Sequence, residues 1–396
     1  MKLYPTRAFS SSRRGAIIVL LVSVIGGASF ALANTYAAER MAEYKIAMSN
    51  ADGFKAYLLA RSGMQGAIGA LKKIPEEALY QSGIAFNPPP IDLAGGTIFY
   101  RISSEDGKFN LNDLIRAYDG APNLKMQDMV GRLFEQLGIP KTKIYPIQDW
   151  IDENNDEIGG GGEVFYYSNL KPPRKIKNGM MYSLSELTSV KDWNVKLVYD
   201  SLKDPLKDKN TSKDFLSDEE KLLITDADYI LSYNVTAYVP YKDTGDERIN
   251  LNAAPYHVLM SLSEFMTRAA AMKILKLKTQ KGGYIKELTD LKNEPEFQIK
   301  TTATGSNQQQ QNQQNQTNQN NPNQPAKQPQ NIAQQPQAIT LYDEIAGDGT
   351  AVFTAKVKTK GEIYRIVGVG IVGRATRKVS CIFDLTNDQI LFYSED

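Results

Sequence analysis

The hydrophobic pattern changes its period along the chain. From Ala16 to Ala33 the sequence reads AIIVLLVSVIGGASFALA, apolar on every side, and no charged residue falls between Ala16 and Ala38. A helix of that length can cross roughly 30 Å of hydrocarbon, and Arg13 and Arg14 just before it predict a cytoplasmic N-terminal end. From Glu39 to Lys73 the pattern becomes one-sided. Tyr44, Ala47, Ala51, Phe54 and Leu58 recur at three- and four-residue steps, the spacing of one helix face. The spacing predicts an amphipathic helix that buries this face, with Pro75 closing it.

Beyond a Pro-rich linker at Asn87 to Pro90, Thr97 to Ser103 (TIFYRIS) reads as a short strand. Helical periodicity follows over Met126 to Leu137 and Ser183 to Tyr199, separated by turn-rich intervals. Alternating β-branched positions return from Gly361 to Leu385. A sheet interrupted by helices is an α+β layout. Between the helices and the last strands, Ser306 to Gln337 is almost wholly Gln, Asn and Pro. Its few apolar groups cannot offset the entropy of ordering, which predicts a disordered exterior loop.

Composition narrows the chemistry. The 396 residues suffice for two or three domains. Forty-six basic residues against forty-five acidic leave a net charge of +1, so no global field gathers nucleic acid or coats an anionic surface. Cys381 is the only cysteine and His257 the only histidine. That excludes a disulfide framework and any multi-cysteine metal centre, and leaves zinc or Ser-His-Asp chemistry a single histidine to pass through. No nucleophile with a fixed base is visible, and the chain is read as not an enzyme.

The order of basic residues, Gly15 and then an apolar run that continues into a second helical stretch resembles the class III leader of type IV pilins and pseudopilins. Two other readings of the N-terminus stay open: a secretory signal ending at Ala31-Leu32-Ala33, which would start the chain at Asn34, and a plain uncleaved anchor. Four further segments, FNLNDL (Phe109 to Leu114), DWIDENND (Asp149 to Asp156), VFYYSNLKPP (Val164 to Pro173) and INLNAAPYHVL (Ile249 to Leu259), together resemble the type II secretion minor pseudopilin K family over nearly the whole chain. That resemblance implies cleavage by prepilin peptidase between Gly15 and Ala16 with N-methylation of Ala16. It also implies a pilin-like fold, a long N-terminal helix on an antiparallel sheet, carrying a large inserted helical domain of two SAM-like or helix-hairpin-helix-like subdomains.

The implied organisation is a leader over 1–15, a transmembrane part over 16–38, a periplasmic helix over 39–75 and a first strand region over 91–108. Helical subdomains then occupy 109–205 and 206–300, the Gln/Asn loop 301–340 and the last strands 341–396. In most pilins the fifth mature residue is a glutamate. Here it is Leu20, an absence that marks the K-type subunit capping the filament. The implied partners are the I- and J-type minor pseudopilins, the major pseudopilin, prepilin peptidase and the inner membrane, with the globular part in the periplasm. The implied role is priming the pseudopilus and supporting export.

A minor pilin of a type IV pilus-like system is the alternative within this class. From another class, INLNAAPYHVL followed by a helix from Thr267 to Lys278 also resembles helix-hairpin-helix DNA-uptake modules. Its hairpin, Leu262 to Met266, lacks the glycine that meets phosphate, so no nucleic acid is expected.

One segment has ion-binding spacing. Asp152, Asn154, Asp156 and Glu163 stand at positions one, three, five and twelve of a loop, as in an EF-hand, with Asp149 as an outer candidate. The obligatory sixth-position glycine is replaced by Glu157, so this is not an EF-hand. Gly159 to Gly162 could instead fold the chain back and bring Glu163 into a calcium cage, the other reading being a solvated acidic turn.

Overall fold

The computed structural model describes residues 11–83, 86–202, 222–239, 247–301, 339–347 and 354–395. Helix α1 (Ser11–Lys73) runs unbroken for 63 residues, roughly 95 Å at the α-helical rise. From Gly15 onward it is, among the described residues, the helix long and apolar enough to cross a membrane. Pro75, which has no N–H to continue the ladder, ends it and serves as N-cap of α2 (Glu76–Ser82).

Five antiparallel strands form the sheet in the order β1 (Ile91–Leu93), β2 (Gly96–Ser104), β3 (Ile363–Val372), β4 (Ala375–Asp384) and β5 (Gln389–Glu395). Helix α1 crosses β2, β3 and β4, which is the expected α+β, pilin-like arrangement. The face of α1 that packs is a different one from the face predicted by its large apolar residues. Tyr44, Phe54 and Leu58 are 65%, 64% and 44% exposed, whereas Ala56, Ala60, Met64 and Ala67 are buried against the strands.

The reason is distance. Tyr364, Ile366, Gly368, Gly370 and Val372 alternate onto the helix side of β3. A Cβ on Gly368 would overlap the Ala60 carbonyl oxygen, and one on Gly370 the Ala56 carbonyl oxygen. From the helix side, a Cβ on Gly63 would lie 2.7 Å from Ile98 Cγ2 and 3.3 Å from the Phe99 carbonyl. Backbones this close admit only small side chains between them. Cys381 lies fully buried beside this seam, and burial pushes its thiol up to about 11, which fits an inert apolar role.

The chain leaves the sheet after Ser104 and returns at Ile363. The insertion between carries α3 (Leu124–Leu137), α4 (Tyr145–Ile151), α5 (Val164–Ser168), α6 (Tyr256–Ser261) and α7 (Arg268–Gln280) around one continuous core. Two copies of an Asn-Leu-Asn clasp organise it. Asn112 donates to the carbonyls of Met181 and Val239 and accepts from Met181 N–H, while Phe109–Asn110 pairs in parallel with Val235–Thr236. Asn252 donates to the carbonyls of Ile285 and Thr359 and accepts from Ile285 N–H, while Ile249–Asn250 pairs in parallel with Val357–Lys358. In each clasp the preceding Asn side chain, Asn110 or Asn250, accepts the N–H two residues on. Each clasp satisfies three buried polar groups with one side chain.

The single helix predicted over Ser183 to Tyr199 is broken. A 3-10 turn (Leu184–Ser189) and a short helix (Val195–Tyr199) flank Asp192, whose φ of 62° no helix accepts. The boundary expected at 205/206 and the Ser306 to Gln337 tract lie outside the described residues.

The insertion docks at the end of α1 remote from its apolar segment. Glu76 Oε1 accepts Gly361 N–H (2.9 Å) and Tyr364 O–H (3.1 Å), Tyr80 stacks at 5.4 Å from Tyr284, and Asp106 accepts Ile363 N–H and pairs with Lys358. Substituting Gly370→Ala tests the seam. It should lower unfolding stability by roughly 1–3 kcal/mol through forced separation of α1 from β3, measured by denaturant titration of the full chain in detergent micelles. Thr376→Ala, exposed on β4, should stay within about 0.5 kcal/mol.

Candidate cation site

Helix α4 begins with Pro146 in its first turn and ends at Ile151, with Asp152 as its C-cap donating its N–H to the Gln148 carbonyl. Asp149 and Asp152 are therefore one helical turn apart and share a face. The chain then loops through the glycine run and brings Glu163 back, just ahead of α5. Asp149, Asp152 and Glu163 are 0%, 2% and 5% exposed, with carboxylate oxygens within 4.8 Å of one another.

Each glycine has its own reason. Gly159 and Gly160 sit at φ of 55° and 86°, a region that disfavours side chains. A Cβ on Gly159 would lie 2.6 Å from the Tyr145 ring, and one on Gly161 would overlap Asp149 Oδ2. The run is thus shaped around the carboxylates. Lys191 fastens it from outside, its Nζ donating to the carbonyls of Gly160 (3.2 Å) and Gly161.

Asp149 Oδ1 accepts Ile158 N–H at 3.0 Å, and Asp152 Oδ2 accepts the Asn154 amide at 3.0 Å. Asp149 Oδ2, Asp152 Oδ1 and both Glu163 oxygens are buried with no hydrogen-bond donor among the described residues. Burial, with the neighbouring Asp149 charge next in weight, pushes Asp152 and Glu163 up to about 7; burial also raises Asp149. Three crowded carboxylates with four buried oxygens lacking donors are favoured protonated or around a cation. An all-oxygen anionic donor set with no His or Cys suits a hard divalent ion such as calcium.

Of the residues singled out by spacing, the fold brings Asp149, Asp152 and Glu163 together. Asn154 and Asp156 stand outside the cluster. Asn154 Oδ1 accepts Asp156 N–H at 2.6 Å, its amide supports Asp152, and Asp156 is exposed. No local pattern points to Lys191, which reaches the loop from about thirty residues away. Gly15 and Ala16 lie within α1, where a Cβ on Gly15 would meet open space.

The basic helix of the rival reading is α7. Its Lys273 pairs with Glu294 at 2.8 Å, and Lys281, its C-cap, pairs with Asp290 at 2.9 Å. In the turn before it, Phe265 N–H is bonded to Ser263 Oγ and Met266 N–H to the Ser263 carbonyl, so neither is turned outward to a phosphate.

Adding calcium should raise the melting temperature of the full chain in micelles, and by more at pH 8 than at pH 5.5. The carboxylates' raised values mean that the cation-free fold holds protons there and loses stability as pH climbs through about 7. A cation must displace those protons at low pH and need not at high pH. Glu163→Gln should abolish the calcium increment while melting no lower than the natural chain in chelator. An increment that is absent, or equal at both pH values, counts against the site.

Residues 107–203, about a quarter of the chain, match the family model described as "Type II secretion system (T2SS), protein K". The matched segment runs from just before the first clasp through the carboxylate loop to Lys203. No curated protein matches the chain by sequence. Among solved structures, a chain of the GspK-GspI-GspJ complex from the enterotoxigenic Escherichia coli Type 2 Secretion System matches at 13% identity. The match covers 88% of this chain and 99% of that chain, with a TM-score of 0.49.

Proposed function

We propose that this chain is a K-type minor pseudopilin, inserted in the inner membrane through α1 and standing at the tip of a type II secretion pseudopilus with its globular part in the periplasm. The observation that carries the reading is the division of α1 into two uses. Ala56, Ala60, Met64, Ala67 and Leu71 face the chain's own sheet, while Tyr44, Met48, Phe54 and Leu58, which share the other face, remain exposed well beyond the apolar segment. An apolar stripe of that extent on a helix needs a partner. The partners proposed are the helices of I- and J-type minor pseudopilins, with the major pseudopilin below them. The protein K match over 107–203 supports the same assignment.

In this reading prepilin peptidase cuts between Gly15 and Ala16, Ala16 is methylated, and the apolar helix is retained. Leu20 then offers no carboxylate to a neighbouring subunit, so α1 enters the filament by apolar packing alone. The insertion, docked at the far end of α1 through Glu76, Tyr80 and Asp106, blocks a further subunit from stacking above. The subunit therefore starts assembly and terminates the filament, and the filament supports export of proteins from the periplasm. A calcium ion held by Asp149, Asp152 and Glu163 serves this reading as a structural clamp on the insertion.

Capture of tagged chain from detergent-solubilised membranes tests the helix partners. The cognate I- and J-type subunits should co-purify with it. Phe54→Asp, placed on the exposed stripe, should cut that recovery roughly tenfold while leaving the melting temperature of the chain unchanged. Equal recovery with Phe54→Asp, or no recovery with the natural chain, contradicts the reading.

A further inference from the structure

A cleft of about 250 Å³ opens between α5 with the segment following it and the turn at 188–193. Tyr166, Leu170, Pro172 and Trp193 give it an apolar, partly aromatic patch within a lining that is otherwise largely polar. Its rim is basic. Lys171 and Arg174 are exposed and form no ion pair with any described residue, and Lys191 lies with its Nζ 4.8 Å from the centre of the Tyr166 ring. The backbone under this rim is fixed: Arg174 N–H donates to the Tyr167 carbonyl (2.9 Å), and Lys191 N–H donates to the Tyr167 hydroxyl (2.9 Å).

The acidic residue that lines the cleft, Asp192, is itself exposed, and Lys143 stands 3.9 Å from its carboxylate. On a chain of net charge +1, this is a local concentration of positive charge around a partly aromatic hollow. A solvated basic face needs no hollow, and a flat lipid surface cannot enter one. Cations at a rim with an apolar, partly aromatic patch inside match a peptide that brings carboxylates and one apolar side chain.

We propose that this cleft docks an acidic peptide segment of a protein partner. Its carboxylates meet Lys171 and Arg174, and its apolar side chain fills the space between Tyr166, Pro172 and Trp193. The cleft adjoins the carboxylate loop through Lys191, which lines the one and fastens the other.

The test uses the full chain in non-ionic micelles and a fluorescent, end-blocked peptide of Asp and Glu residues around a single Phe, read by anisotropy. Saturable binding is expected, weakening with salt, with no binding by the matching Lys peptide. The double variant K171E/R174E should bind at least roughly tenfold more weakly, because two attractions become repulsions. Tyr166→Ala should also weaken binding, which charge attraction to an open surface would not require. Both cations are exposed, and an unchanged melting curve shows that the fold is kept. Three results overturn the proposal: no binding by the natural chain, loss with K171E/R174E but none with Tyr166→Ala, or displacement of the peptide by vesicles of equal phosphatidylglycerol and phosphatidylcholine. The last would assign the basic rim to a membrane surface.

Discussion

Two backbones meet almost without side chains between them where α1 crosses β3, and the rest of the architecture follows from that approach. Gly368 and Gly370 leave room for the carbonyls of Ala60 and Ala56, and Gly63 leaves room for Ile98. Glycine and alanine make the closest approach, with Leu59, Met64, Ile68 and Leu71 packed along it, and Tyr44, Met48, Phe54 and Leu58 are left on the other side of the helix. Intrachain packing and the exposed apolar stripe are thus one decision about which residues lie at which helical angle.

The same seam places the insertion. Strand β3 begins at the end of the sheet where α2 turns back, and Glu76, Asp106 and Lys358 join α2, the start of the insertion and its last strand there. The two Asn-Leu-Asn clasps then close the insertion in stages, each tying a remote carbonyl to the start of its half. In the first half, the carboxylate loop is a buried arrangement that its own hydrogen bonds leave incomplete. A folded protein seldom leaves four carboxylate oxygens buried without donors, which is the physical argument for a cation.

Much of this was legible in the sequence. The length of α1, its end at Pro75, the strand at Thr97 and the paired strands after Gly361 follow from period and punctuation alone. The packing face of α1 differs from the one its large apolar residues suggest over Tyr44 to Leu58, because glycine and alanine make the closest contacts there and Leu59, Met64, Ile68 and Leu71 pack beside them. The last strand, Gln389–Glu395, falls inside the 341–396 strand region that the resemblance implies but outside the alternation of Gly361 to Leu385, because it lies at the sheet edge with its side chains exposed or half-exposed. At the candidate site, the spacing found Asp152 and Glu163, and Asp149 one turn earlier completes the cluster. Lys191 and the overlap that Gly161 avoids are tertiary facts, with no local signal to reveal them. The matching roles of Asn112 and Asn252 were present in the text as FNLN and INLN, yet only the folded chain shows that both are clasps.

The central claim is that α1 survives processing as the anchor and packing helix of an assembly subunit. Intact-mass analysis of the chain from membranes of cells with and without prepilin peptidase tests it most directly. The expected result is a peptidase-dependent start at Ala16 carrying one methyl group. A start at Asn34, which discards the apolar helix, or an intact Met1 in both strains would contradict it.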